Sequence, residues 1–194
     1  MRTFIAVDTD PDIRQTLGRA VGELRSLAPG VKWSDPAAMH ITLRFLGEVP
    51  DRDLPAVIAA AREAARGAGP LTLALGAPAS FGGAEPRVLF LGIEGETAAL
   101  SALRAALEDR LAARGFGREA RAFSPHLTLG RPKKGPVPPS WRDFTPAGVK
   151  EWTVEELTVY ASTLTPAGPV YTALARCALG DEGAPPAAET ADNR

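Results

Sequence analysis

Apolar and polar positions recur with two different periods along the chain, and these periods predict its strands and helices. A period of two indicates half-buried strands, which we expect at residues 2–8, 31–34, 40–46, 71–75, 87–93, 125–130, 152–163 and 170–179. Apolar residues three or four positions apart indicate amphipathic helices, which we expect at about residues 10–27, 53–67 and 98–114. The order strand, helix, strand therefore occurs twice.

The two histidines of the chain lie in the predicted strands at residues 40–46 and 125–130, and each begins the same four-residue phrase. His40 and His126 are each followed by an apolar residue, then Thr, then Leu. The phrases lie 86 residues apart (126 − 40), which is close to half of the part we expect to be ordered. This spacing predicts a duplicated unit, with two similar α+β lobes that carry one phrase each.

Strand alternation predicts which side chains of the phrase act together. His40, Thr42 and Arg44 should share one face, while the residues between them and Phe45 should face a core. The imidazole and the hydroxyl then lie two residues apart, about 6.6 Å along the backbone. The second phrase should repeat the arrangement with His126.

These side chains fit general acid and base chemistry at a phosphate. Imidazole titrates near neutrality, so one histidine can accept a proton from water while the other donates one to a leaving oxygen. The hydroxyls of Thr42 and Thr128 can donate to phosphate oxygens. Arg131 follows the second phrase and adds positive charge, as do Lys133 and Lys134. In-line displacement at phosphorus requires the acid and the base on opposite sides, which two facing lobes would provide.

Other interpretations of the same residues stay open. A lone strand histidine is more often structural than catalytic, and threonine is common in strands. Two histidines could also bind a metal, but the sequence has no H-x-H or H-E-x-x-H motif, and its nearest acids are Asp8, Asp35 and Glu48. The chain has no P-loop and no G-x-G-x-x-G motif.

Charge and composition indicate the domain organisation and the cellular location of the protein. The net charge of the 194 residues is −1, but residues 180–194 carry −3, so the rest of the chain carries +2. We expect one bilobal domain over residues 1–179 and a disordered acidic tail over residues 180–194. The chain has a single cysteine, no apolar run long enough to span a membrane and no signal-like N-terminus, which predicts a cytoplasmic protein without membrane association.

Several segments together resemble a known family. They are RTFIAVD, VKWSDPAAMHITLRFLGEV, RVLFLGIEG, FSPHLTLGRPK, LTVYAS and GPVYTALARCAL, and they cover residues 2–179. In this order and spacing they resemble the 2H phosphoesterase superfamily, and within it the RNA 2′,3′-cyclic phosphodiesterase branch, which is also called LigT-like or 2′-5′ RNA ligase-like.

The resemblance implies a fold and a reaction. The fold would be α+β and bilobal, with two antiparallel sheets facing a central groove, helices outside and a pseudo-two-fold duplication. The reaction would be metal-independent hydrolysis of an RNA 2′,3′-cyclic phosphate to a 2′-phosphate, with no cofactor. His40 would be the proton donor and His126 the proton acceptor. Thr42, Thr128 and Arg131 would bind the phosphate.

Alternation adds two candidates for the substrate groove, Phe4 and Tyr160, since their neighbours fit the core side of each strand. The substrate could be RNA with a 2′,3′-cyclic phosphate terminus, such as a tRNA fragment, or a small cyclic nucleotide, and we expect a monomer. Two alternatives are a 2′-5′ RNA ligase that runs the reverse reaction and a non-catalytic module that binds RNA ends.

Overall fold

The computed structural model describes residues 1–133, 137–166 and 168–180, which contain nine strands and three α-helices. The strands are β1 Arg2–Asp8, β2 Val31–Trp33, β3 His40–Glu48, β4 Leu71–Phe81, β5 Val88–Gly95, β6 His126–Pro132, β7 Glu151–Val154, β8 Glu156–Thr165 and β9 Gly168–Ala178. The helices are α1 Pro11–Leu27, α2 Leu54–Arg66 and α3 Thr97–Ala112, with short 3-10 turns at Pro36–Ala38, Asp51–Asp53 and Pro139–Asp143.

The strands form two antiparallel sheets. One sheet has four strands in the order β3-β1-β8-β9, and the other has five in the order β2-β6-β5-β4-β7. All pairings that join neighbouring strands are antiparallel. The predicted α+β class with two antiparallel sheets is confirmed.

The duplication is visible in the strand pairing. Each histidine-bearing strand pairs with the strand that precedes the helix of its unit, so β3 pairs with β1 around α1, and β6 pairs with β5 around α3. Thr42 lies opposite Ala6, and Thr128 lies opposite Phe90. The two phrases therefore occupy matching places in two sheets.

The helices form as the sequence signals predict and cover the sheets from outside. The carboxylate of Asp10 accepts a hydrogen bond from the backbone N–H of Ile13 at 2.7 Å, and Pro11 occupies the first helical position of α1. The predicted apolar stripe of α3 is fully buried: Leu100, Leu103, Leu107 and Leu111. Helix α3 contacts α2, β3 and β4, so its apolar stripe joins the two units.

One predicted strand, at residues 152–163, is in fact two. Strand β7 adds to the five-stranded sheet, where Trp152 pairs with Leu73, and β8 adds to the four-stranded sheet, where Tyr160 pairs with Phe4. The chain passes from one sheet to the other at Glu155. The apolar positions change phase there, from Trp152 and Val154 to Leu157 and Val159, and this break in the alternation was the signal in the sequence.

Strand β4 is longer than predicted, since it extends to Phe81 rather than ending at Leu75. An irregularity in its pairing with β5 lies between Leu75 and Pro78 and interrupts the alternation. Lys134 and the acidic tail from residue 181 lie outside the described residues. Among the described helices, none is long and apolar enough to cross a membrane.

Candidate active site

The two phrases meet because β3 of one sheet contacts β6 of the other. His40 is the first residue of β3 and His126 is the first residue of β6, and both side chains are partly exposed. The apolar residues between the phrase positions anchor these strands, since Ile41 and Leu127 are completely buried. Each histidine is therefore carried by a rigid strand.

The ring of each histidine is oriented by the main chain in the same way. Nδ1–H of His40 donates to the carbonyl oxygen of Ala38 at 2.9 Å. Nδ1–H of His126 donates to the carbonyl oxygen of Ser124 at 2.7 Å. In both rings Nε2 is left for contact with a substrate, so the site holds two equivalent nitrogens that can transfer protons.

A bulge in β3 changes which residues share the face of His40. Ala6 pairs with Thr42, but Ile5 pairs with Arg44, so Leu43 is an extra residue. The bulge reverses the alternation that follows it. Arg44 therefore joins the core side with Ile5, and Phe45 joins the groove side opposite Phe4.

The prediction that Arg44 lies on the face of His40 is consequently wrong. Its guanidinium is 9% exposed and Nη1 donates to both carboxylate oxygens of Glu108 on α3, each at 3.1 Å. It also donates to the carbonyl oxygen of Gly117. The positive charge of Arg44 is neutralised in the core and is not available to a phosphate in the groove.

The same bulge occurs in β6 and has the opposite consequence for a cation. Phe90 pairs with Thr128 and Leu89 pairs with Gly130, so Leu129 is the extra residue. Arg131 then falls on the face of Thr128, where simple alternation would place it on the other side. Its side chain is exposed.

Aromatic rings surround His40. The ring of Phe4 stacks on the imidazole with centroids 4.7 Å apart and planes at 27°, and Tyr171 meets it edge-on at 5.3 Å. Tyr160 stacks on Phe4 at 5.1 Å. Phe4 is only 3% exposed, so it supports the imidazole from within the sheet and presents little surface of its own.

His126 has a smaller aromatic surround. Phe81 meets its ring edge-on with centroids 5.0 Å apart, and Phe90 lies at 5.1 Å. These two phenylalanines stack on each other at 4.3 Å. Phe81 is 40% exposed, so this side of the site is more open to solvent than the side of His40.

Opposing influences act on the pKa of His40. Burial lowers the pKa of His40 below its ordinary value, while the hydrogen bond to Ala38 and the charge of Asp8 raise it. The charge of His126 lowers it further, because two cationic imidazoles repel each other.

The pKa of Tyr171 is affected by charges from both sheets. Burial raises the pKa of Tyr171, on β9, and the charges of Arg131 and Arg2 oppose that rise. Arg131 belongs to the other sheet, so its guanidinium acts across the space between the sheets.

Sequence reasoning missed the part played by Asp8, which it weighed only as one of the acids nearest in sequence. Asp8 ends β1 directly opposite His40. Its carboxylate accepts hydrogen bonds from the hydroxyls of Tyr160 at 2.7 Å and Thr158 at 3.1 Å. An acid that closes an otherwise apolar strand was the signal available in the sequence.

Tyr160 lies on the groove face but its hydroxyl is engaged. Burial, followed by the hydrogen bond to Asp8 and the charge of that carboxylate, raises the pKa of Tyr160 to about 12. The phenol therefore stays protonated at neutral pH and donates to Asp8. In the described ranges there is no group of three or more His, Cys, Asp or Glu side chains placed to hold a metal ion.

Two antiparallel sheets that each contribute one His-x-Thr strand, with the two strands in contact, define the class of two-histidine phosphoesterases. Residues 10–165 match the model of the 2′-5′ RNA ligase superfamily. The chain belongs to this family.

Relatives of known structure or name match over almost the full chain. A Thermus thermophilus protein named RNA 2′,3′-cyclic phosphodiesterase is 35% identical and covers 94% of this chain and 92% of its own. A Thermotoga maritima protein of the same name is 33% identical over 91% of this chain and 95% of its own. The crystal structure of Escherichia coli LigT complexed with 3′-AMP superimposes with a TM-score of 0.76 at 28% identity, covering 93% of this chain and 98% of LigT.

Proposed function

We propose that the chain is an RNA 2′,3′-cyclic phosphodiesterase that opens the cyclic phosphate by general acid and base catalysis between His40 and His126. The observation that carries the proposal is the symmetric fixing of both rings, each by a backbone carbonyl at Nδ1, on strands that face each other. The names of the relatives from Thermus thermophilus and Thermotoga maritima support the same activity.

The reaction needs one proton accepted and one donated. His126 Nε2 takes a proton from water, and the water oxygen forms a bond to phosphorus as the bond from phosphorus to O3′ breaks. His40 Nε2 gives its proton to O3′, which leaves as the hydroxyl, and the phosphate stays on O2′. The family resemblance assigns these two roles. After turnover the histidines have exchanged protonation states, and solvent restores them.

In the proposed reaction three side chains bind the phosphate. The hydroxyls of Thr42 and Thr128 lie two strand positions from their histidines, and each can donate to a non-bridging oxygen. Arg131, brought to the same face by the bulge in β6, supplies a charge that the two hydroxyls lack. A cation that approaches from one lobe can neutralise charge that develops on phosphorus oxygens.

The decisive experiment uses a short RNA that ends in a 2′,3′-cyclic phosphate, assayed in the presence and absence of EDTA. We expect turnover that EDTA does not diminish and a product with a 2′-phosphate, identified by ³¹P NMR. A 3′-phosphate product would contradict the assigned direction of ring opening. Loss of turnover on chelation would contradict the metal-independent mechanism.

The family description favours a second candidate, since it names a 2′-5′ RNA ligase. The same site run in reverse would join a 2′,3′-cyclic end to a 5′-hydroxyl, with the protons moving in the opposite sense. Incubation of two RNA fragments with such ends should then yield a joined product that resists nucleases specific for 3′-5′ bonds. Binding of the cyclic end without either product would instead identify a non-catalytic RNA-end binding module.

A further inference from the structure

A carboxylate stands beside one of the two histidines and has no counterpart beside the other. Asp8 lies directly opposite His40 in the antiparallel pairing of β1 with β3, so the two side chains project from the same face. The position that corresponds to it, opposite His126, is Gly92, which has no side chain. The two halves of the site are therefore not equivalent in charge.

The carboxylate of Asp8 is held in place. Oδ2 accepts hydrogen bonds from Tyr160 and Thr158, both on β8, and the backbone carbonyl of Asp8 accepts one from the indole N–H of Trp152 at 3.1 Å. The side chain is 16% exposed. Two neutral hydroxyls fix the position of the carboxylate without cancelling its charge.

The hydrogen bonds of the Asp8 carboxylate come from Tyr160 and Thr158, and Nδ1–H of His40 donates to Ala38 instead. Asp8 can therefore act on His40 through space only. The other ionisable groups around His40 do not substitute for it. His126 repels a second positive charge, Tyr160 and Tyr171 are neutral phenols at neutral pH, and Arg176 lies 4.0 Å from the Asp8 carboxylate, with its own partner in Glu156.

The geometry points to Asp8 as a positioning residue that stabilises the protonated form of His40, held at the correct place by the hydroxyls of Tyr160 and Thr158. The inference rests on the proposed function, in which His40 must carry a proton before it can give one to the leaving oxygen. It also supplies a physical reason why His40 can carry a proton despite its burial: a fixed anion lies beside it, whereas the position opposite His126 is a glycine.

The test is a ¹H–¹³C NMR titration of the two imidazoles in wild-type protein and in Asp8→Asn. Because the chain has only two histidines, His126→Ala assigns both signals. In Asp8→Asn we expect the titration midpoint of His40 to move to lower pH. Asparagine keeps the shape and an oxygen that accepts the two hydroxyls, so the change reports charge alone.

Two further variants separate charge from structure. Asp8→Glu should restore most of the shift, and Asp12→Asn, on the exposed side of α1, should leave the His40 curve unchanged. Equal curves for His40 in wild type and Asp8→Asn would overturn the inference. This readout does not depend on turnover, so it stands or fails apart from the proposed reaction.

A measurement on the wild-type protein covers the case in which Asp8→Asn does not fold. The ¹³Cγ chemical shift of Asp8 should show a step at the pH where His40 loses its proton, and the step should be missing in His40→Gln. A flat shift through that range in wild type would overturn the inference. If the reaction proceeds as proposed, Asp8→Asn should also lower kcat about tenfold at neutral pH, a small part of the roughly 10²- to 10⁴-fold that a general acid contributes.

Discussion

Strands β3 and β6 carry the same phrase and the same bulge, yet they use the positions after the bulge differently. In β3 the fourth residue after the histidine is Arg44, which pairs with Glu108 in the core, and the fifth is Phe45, 45% exposed on the groove side. In β6 the fourth is Gly130 and the fifth is the exposed Arg131. After the bulge, the groove side therefore carries the ring of Phe45 in one lobe and the guanidinium of Arg131 in the other.

Packing explains why the fourth positions differ. A Cβ on Gly130 would lie 2.8 Å from the side chain of Val31 and 3.0 Å from the carbonyl oxygen of Lys32, because β2 adds to the edge of β6. Strand β3 is an edge of its own sheet and contacts α3 instead, so it has room for Arg44. The two lobes share the phrase and the bulge, while the residues beside them fit a different neighbour in each lobe.

The largest effect should come from the histidines themselves. His40→Ala and His126→Ala should each lower kcat by at least about 10²- to 10⁴-fold, since each removes one proton transfer. The double variant should lose much less than the product of the two, because acid and base act in one step. Steady-state kinetics on a cyclic-phosphate RNA measure this. Near-normal activity in one single variant would show that the lobes are not catalytic partners.

The next largest effect concerns the buried ion pair between Arg44 on β3 and Glu108, which has no counterpart on β6. Glu108→Ala should lower the free energy of unfolding by about 3–5 kcal/mol, because it leaves the charge of Arg44 buried and unpaired. Combining it with Arg44→Met should recover most of the loss. Urea denaturation followed by circular dichroism measures both. Glu63→Ala, which removes the more exposed ion pair with Arg114, is the matched control and should cost no more than about 1 kcal/mol.

The third largest effect should come from the loss of the Thr42 or Thr128 hydroxyl. Thr42→Val and Thr128→Val should each lower kcat/KM roughly 10- to 100-fold, which corresponds to a hydrogen bond to a charged group of about 1.5–3 kcal/mol. Thr153→Val, on the exposed side of β7, controls for the substitution itself. Comparable losses at both positions would indicate that the phosphate lies between the lobes. A loss at only one would place it against a single sheet.

The smallest effect is the pH dependence of stability. The pKa of His40 is lower in the folded protein than its ordinary value, so the unfolded state binds more protons in the interval between the two values. Stability should therefore fall as the pH decreases below about 6.5, by at most about 1.4 kcal/mol per pH unit. Urea denaturation at several pH values should show a shallower fall in His40→Gln. Parallel curves for the two proteins would contradict the burial of this imidazole.

Much of the fold could be predicted from the hydrophobic periodicity and from the residues that start and end helices. Asp10-Pro11 marked the start of α1, the leucines of α3 marked its buried stripe, and the repeated phrase predicted the pair of sheets. Alternation failed where the backbone departs from it. The bulge at Leu43 sent Arg44 into the core, and the passage through Glu155 divided one expected strand between two sheets. The bulge is not visible in the sequence pattern, since Thr42 and Arg44, on either side of Leu43, are both polar and fit a continued alternation.

The two histidines of the site could be predicted from the sequence, whereas the contacts of the residues around them could not. His40 and His126 could be found because they share a phrase, whereas Asp8 has no repeat to mark it, and its meaning depends on the register that places it opposite His40. Phe4 and Tyr160 could be placed on the groove side by alternation. That Phe4 would be covered by its neighbours, and that the Tyr160 hydroxyl would be directed to Asp8, depends on three strands at once.

Both imidazoles take their orientation from main-chain oxygens, at Ala38 and Ser124, two positions upstream. A carbonyl is common to every amino acid, so no exchange of side chain at either position deletes the acceptor. The orientation of the two rings is therefore less sensitive to mutation than it would be if an Asp or Glu side chain were the acceptor. Substitutions can change the shape and charge of the cleft between the sheets while the orientation of the two imidazole rings stays the same.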